Sequence, residues 1–208
     1  GFVVNIKGAR SHEIVRQGKK DLNLVGCSMS ISMDMLVGAG LARRTECGTG
    51  NLELFGTTYR WRKAIEEGRL EVVDHSHLAM ASRFLAGSLG LPFMPNKSLL
   101  GTDILRRKAF NGHKPFSVID NPWNAGEPVV LLPALTPDVS LVHAQKADET
   151  GNVIIEGFTT HDVDMARASR AVIVSCEELV TADEVRREPG RTTIPYIYVD
   201  RSEERRVG

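Results

Sequence analysis

Apolar positions along the chain fall into two alternating rhythms. Short runs bounded by Gly, Pro, Asp or Asn read as strands: Leu22 to Val25, Leu70 to Asp74, Pro128 to Leu132, Val139 to Val142, Val153 to Ile155 and Ala171 to Val174. Between them the spacing turns helical. Ser11 caps a short helix that ends in cations. A second helix runs from the serines at 28, 30 and 32 through Met33, Leu36 and Val37, and a third from Thr57 to Gly68. Ser76 opens a long helix through Met80, Phe84 and Leu89, closed by Gly90. Thr160-His161-Asp162 introduces another, and Thr181-x-x-Glu184 is a capping-box start.

Strands and helices that alternate in this way predict an α/β fold, an open, mostly parallel sheet flanked by helices. Some stretches read otherwise. Glu46 to Asn51 is expected as a turn, and Leu91 to Pro95 as a strand-like segment fenced by prolines. Asn111 to Glu127 carries few regular signals and is expected to cover a sheet edge. Glu177 to Val180 is read as lying just beyond its strand, and Ile194-Pro195-Tyr196 as starting a last one.

Composition narrows the function classes. At 208 residues the chain is long enough for one sizeable core. Lys plus Arg and Asp plus Glu both number 26, so no global field favours nucleic acid or an anionic membrane. No window approaches the ~20 apolar residues that a spanning helix needs. Three scattered cysteines, Cys27, Cys47 and Cys176, form no disulfide framework and predict a reduced, cytoplasmic setting. The chain starts without Met and ends in the charged run Arg201 to Gly208. Residues 1–200 are therefore expected to be one domain, incomplete at both ends, and 201–208 a foreign or disordered tail.

Polar residues gather where strands are expected to end, the edge at which open α/β sheets bind ligands. His143 and Gln145, two apart, share one face of their strand, and Asp148 with Gly151-Asn152 forms the turn that follows. Asp74-His75-Ser76-His77 follows another strand. His75 and His77 resemble a metal pair, but no third ligand stands at suitable spacing, so no metal is expected. Gly48-x-Gly50 lacks the further residues of a dinucleotide or phosphate loop. Tyr59 and Trp61 among Arg60, Arg62 and Lys63 read as an amphipathic surface helix rather than a nucleic-acid patch.

The run Pro-Asp-Val-x-x-x-His-x-Gln-x-Ala-Asp-x-x-Gly-Asn, from Pro137 to Asn152, resembles the α-subunit signature of the family I coenzyme A transferases, which include the glutaconate and 3-oxoacid enzymes. The resemblance extends from about Gly1 to about Val199. It implies transfer of coenzyme A between an acyl-CoA and a free carboxylic acid through a glutamyl-CoA thioester. The nucleophilic glutamate is expected on a β partner, in a heterodimer or a dimer of heterodimers, and this chain alone is expected to be inactive. A coenzyme A thioester is then substrate, with no tightly bound cofactor. Gly1-Phe2 resembles the end of the glycine turn after the family's first strand, which implies that this strand is missing here.

Residue type and position, together with the resemblance, mark the residues expected to line the acyl-CoA site. Ser28 and Ser30 stand at a helix start, where hydroxyls and free amides hold a thioester oxygen or a carboxylate. Ser76, Gly101, Thr102, Asp103, His143, Gln145, Asp148 and Asn152 match in kind, and Arg106-Arg107-Lys108 offers cations to coenzyme A phosphates. Glu53 and Asp74 are the acids to test as catalytic groups within this chain. Three rivals stand beside transfer: a related ring-opening CoA-thioester hydrolase, a ligand-sensing domain and an interaction subunit.

Overall fold

The central strands of the protein are buried on both faces, which follows from their sequence. β2 (Leu22–Met29) is apolar at nearly every position, with only Ser28 exposed. In the computed structural model, which describes residues 2–6, 11–106 and 115–204, it pairs in parallel with β1 (Phe2–Ile6) and β3 (Ala42–Gly50). β3 pairs with β4 (Glu71–Asp74), and β1 with β8 (Val139–Asp148), all in parallel. Beyond β8 lie β10 (Val172–Val180) and β11 (Arg201–Glu204), giving the order β11-β10-β8-β1-β2-β3-β4. The two-residue β9 (Val153–Ile154) turns back antiparallel on β8. The open parallel sheet matches the expected fold class.

Helices cover both faces because successive strand residues point to opposite sides. Val25 packs with α4 (His77–Ser88) and α5 (Asp162–Ala168) through Met80, Phe84 and Met165. Leu24 joins Met33, Leu36 and Ala64 of α2 (Ile31–Gly38) and α3 (Tyr59–Glu66), with Ile14 of α1 (Ser11–Gln17) against them. No helix among the described residues is long and apolar enough to cross a membrane.

Several expectations are corrected. The run from Phe2 to Ile6, expected to follow a turn, is a strand that fills the slot between β2 and β8, where a vacancy would leave two rows of backbone groups unpaired. β2 runs on through Gly26 to Met29, past the apolar run that ends at Val25. Glu46 to Gly50 is the second half of β3, not a turn. Its glycines are there for close approach. A Cβ on Gly48 would collide with the His77 ring and sit 2.9 Å from the Cys27 carbonyl oxygen. Residues 117–133 are a hairpin, β6 (Ser117–Asn121) and β7 (Asn124–Pro133), with β5 (Phe93–Asn96) on its other side. Glu177 to Leu179 belong to β10, extended by pairing with β8 up to Val180. Tyr196 to Tyr198 form a 3-10 turn, fixed by pairing of Val153 with Ile194. Arg201 to Glu204 pair with Ile173 to Cys176 as β11.

The small sheet β5-β7-β6 packs Phe116, Val130 and Leu132 against Ala79 of α4 and Leu99. A buried charge cluster ties it to the large one. Arg83 of α4 donates to Glu46 at 2.7 Å and to the Pro133 carbonyl at 3.0 Å. Arg44 reaches the other Glu46 oxygen at 2.9 Å. Arg83 also meets His75 Nε2 at 2.9 Å. Because a guanidinium only donates, Nε2 accepts and His75 is neutral with its proton on Nδ1. That buried Nδ1 has no partner among the described residues, and the ring stands edge-on to Phe116 at 5.1 Å.

Burial pushes the His75 imidazole down from its ordinary range; Glu46 opposes this and Arg83 adds to it. Burial alone would raise the Glu46 carboxyl, yet the Arg83 and Arg44 guanidiniums hold it well below the usual carboxylate range.

Two outcomes follow. As pH falls below about 6.5, the unfolded chain protonates His75 while the folded chain resists, so stability falls with pH by at most about 1.4 kcal/mol per unit from this group. His75→Asn, which keeps an acceptor for Arg83, should flatten that part of the urea-unfolding profile between pH 7 and pH 5; an unchanged slope contradicts the assignment. Gly87→Ala in α4 places a Cβ against the Leu135 carbonyl oxygen and 3.0 Å from Ala168 Cβ. It should lower the unfolding free energy by about 1–3 kcal/mol in urea titration.

Candidate functional site

The C-terminal ends of β2 and β3 and the start of α4, just after β4, bring together three polar side chains. Ser28 is the exposed residue near the end of β2, and Thr49 stands opposite it in register on β3. Thr49 Oγ1 donates to Ser28 Oγ at 3.3 Å and lies 3.1 Å from His77 Nε2. His77 opens α4, and Gly48 gives its ring room to lie against β3. Cys27 Sγ donates weakly to the His77 carbonyl at 3.7 Å, fixing the helix start to β2. Ser76 caps α4 by accepting from the Ala79 amide at 3.0 Å and meets Ser98 Oγ at 3.1 Å. Polar side chains at this edge are possible because α2 and α4 begin here, so their first amides face outward.

The other sequence-derived candidates scatter. Ser30 takes the N-cap position of α2 with an exposed side chain that makes no capping bond. Asp74 ends β4 beside the cluster, half-buried, in register with Cys47. Glu53 sits at φ 53° in an exposed 3-10 turn after β3, its amide bonded to Asn51 Oδ1. Phe2 starts β1 and so lies at the opposite edge of the sheet from the turn where it was expected, because its run fills the central slot. Gly1, Arg107 and Lys108 lie outside the described residues.

Gly101 adopts φ 78°, Thr102 Oγ1 donates to the Leu99 carbonyl at 2.7 Å, and Asp103 accepts from Arg106 at 3.0 Å, all local bonds of one surface turn. His143 and Gln145 do share a face of β8. His143 Nδ1 is 3.0 Å from Ser175 Oγ and Nε2 is 3.6 Å from Glu177 on β10, while Gln145 accepts from the Glu156 amide at 2.8 Å.

Asp148 and Asn152 bond to each other within the turn after β8. The buried Asp148 carboxylate accepts from the amides of Thr150 and Asn152, from the Thr150 hydroxyl and from Asn152 Nδ2, at 2.7–2.9 Å. Burial acts to raise its pKa, but these donors win and hold it below the ordinary value. Asn152 Oδ1 in turn accepts from the Tyr196 amide at 3.2 Å. The clamp thus spends these polar groups on the β8-β9 turn. His75 and His77 part company as well, one inward to Arg83 and the other outward to Thr49; no group of three ligands suited to a metal occurs among the described residues. Burial, with Asp74 and Glu46 adding, pushes the Cys47 thiol up to about 12, which makes it a poor nucleophile.

Thr49 was missed because its segment read as a turn. The β-branched residues Thr45 and Thr49, four apart with Gly48 between them, were the available signal for a strand.

Comparison with known proteins gives this edge its context. The coenzyme A transferase family profile matches residues 9–202. The chain is 39% identical to the A subunit of 3-oxoadipate CoA-transferase from Pseudomonas knackmussii, over 86% of this chain and 63% of that protein. It is 36% identical to the A subunit of glutaconate CoA-transferase from Acidaminococcus fermentans, over 96% of this chain and 66% of that protein. The crystal structure of glutaconate coenzyme A-transferase from that organism superposes with a TM-score of 0.86 at 32% identity, covering 97% of this chain and 70% of the other. The decarboxylase AibA/AibB superposes at 0.83 and 30% identity, covering 98% and 77%. The chain spans 41% to 66% of the length of the first curated relatives it matches. The chain belongs to the coenzyme A transferase family.

Proposed function

We propose that the whole protein is the α subunit of a CoA-transferase, moving coenzyme A between an acyl-CoA and a free carboxylic acid. The observation that carries this reading is the polar cluster at the ends of β2, β3 and β4 in a chain 36–39% identical to the A subunits of two CoA-transferases. The glutamate that takes up coenzyme A lies on a β partner. Its carboxylate attacks the thioester, giving an acyl-glutamyl anhydride and free CoA thiolate, which then forms glutamyl-CoA and releases the acid. Dividing the exchange in this way keeps the thioester's energy, provided water is excluded.

The edge suits a covering partner. Ile31 at the start of α2, Leu54 and Phe55 after β3, and Leu78 at the start of α4 are exposed apolar residues on that one side. Glu53, in the same turn as Leu54 and Phe55, is then a rim residue, and Asp74 a wall residue. We place residues 1–200 in one transferase domain, and the three buried cysteines, which form no disulfide among the described residues, suit a reducing cytoplasm.

A second reading has an observation of its own: the likeness to the decarboxylase AibA/AibB is nearly as close as that to the transferase. The test is to co-express the full-length protein with its β partner and supply an acyl-CoA with a panel of free acids. New acyl-CoA species should form only when both chains are present. Loss of carbon dioxide without a new acid–CoA pair would favour the decarboxylase, and no turnover of either kind would leave an interaction subunit.

A further inference from the structure

The Ser28–Thr49–His77 relay has a direction. A threonine hydroxyl carries one hydrogen, and Thr49 spends it on Ser28 Oγ at 3.3 Å. Its oxygen, 3.1 Å from His77 Nε2, is therefore left to accept, so His77 carries a proton on Nε2 and donates. Each bond polarises the next, and the chain ends on the hydroxyl hydrogen of the exposed Ser28. Such an end calls for an oxygen bearing negative charge. The twelve-residue α4, which begins at His77, adds the positive end of its dipole.

We propose that this relay binds the non-reacting carboxylate of a dicarboxylic acid, so that Ser28 contacts substrate while Thr49 and His77 act as positioning residues that select for it. The inference rests on the transferase reading. With the nucleophile on the partner, donors on this chain are free to hold the far end of the acyl group. Glutaconate and 3-oxoadipate, named for the relatives at 36–39% identity, both have a second carboxylate.

The experiment uses the complex of the full-length protein with its partner, an acyl-CoA donor, and glutarate or butyrate as acceptor. Butyrate lacks only the second carboxylate. The wild-type complex should prefer glutarate in kcat/KM, mainly through KM. His77→Phe and Thr49→Val should each cut that preference by roughly tenfold, the scale of one charge-assisted hydrogen bond. The double variant should lose no more than either single one, because they break one chain. His77→Gln, whose amide can still donate to Thr49, should restore most of the preference.

If Thr49→Val does not fold, Ser28→Ala at the exposed end replaces it. An active complex whose preference is unchanged by His77→Phe overturns the inference and leaves the transferase reading intact, as does a His77→Gln variant no better than His77→Phe. A wild-type complex that transfers to neither acid overturns both, unless the His77 ring resonances move on titration with glutarate and not with butyrate; that result would uphold the carboxylate site and sink only the transferase reading.

Discussion

The salt bridge between Arg83 and Glu46 is the contact on which the site's geometry depends. A single guanidinium reaches a carboxylate on β3, the imidazole that follows β4 and a carbonyl at the end of β7. Burying such a pair costs desolvation and contributes little net stability against an apolar replacement. Its effect is on placement: it sets the spacing of β3, of the turn after β4 and of the small sheet relative to α4. His77 lies two residues beyond His75, and Thr49 three beyond Glu46. The exposed relay is thus carried by backbone that the buried cluster holds in place. Rigid support behind a binding group is what keeps it within reach of its ligand.

The two layers of polar chemistry stand in opposite environments. In the interior, Glu46 stays ionised because two arginines outweigh its burial, and His75 stays neutral because it accepts from one of them. At the surface, Ser28, Thr49 and His77 are exposed, and their bonds run from strand end to strand end. Exposure leaves such bonds weak in water. A partner closing over Ile31, Leu54, Phe55 and Leu78 would strengthen them by excluding water, which couples assembly to substrate selection.

The architecture was legible where hydrophobic period and caps agreed. Ser76, Gly90 and the apolar spacing between them mark α4, and the strand around Leu141 and Val142 is plain from its apolar run. Strand ends were not legible. Glycines at 48 and 50 read as a turn because their purpose, room for His77 and for Met33 and Trp61, lies in residues distant in sequence. The hairpin at 117–133 was hidden by Pro122 and Pro128, which occupy its turn and an exposed position within β7. Of the polar cluster at the strand ends, Ser28 was marked in advance from its place before a helix. The bonds by which Asp148 and Asn152 tie the turn after β8 were not legible, because polar residues at that edge look alike whether they bind a ligand or a turn.

The central claim is a division of labour in which this chain shapes the acyl site and its partner supplies the nucleophile. Trapping the co-expressed complex with acyl-CoA and borohydride, followed by mass spectrometry of both chains, tests it most directly. The account predicts one reduced glutamate on the partner and none on this chain. A modified Glu53 or Asp74 would contradict it and place the covalent chemistry at the ends of this chain's own strands.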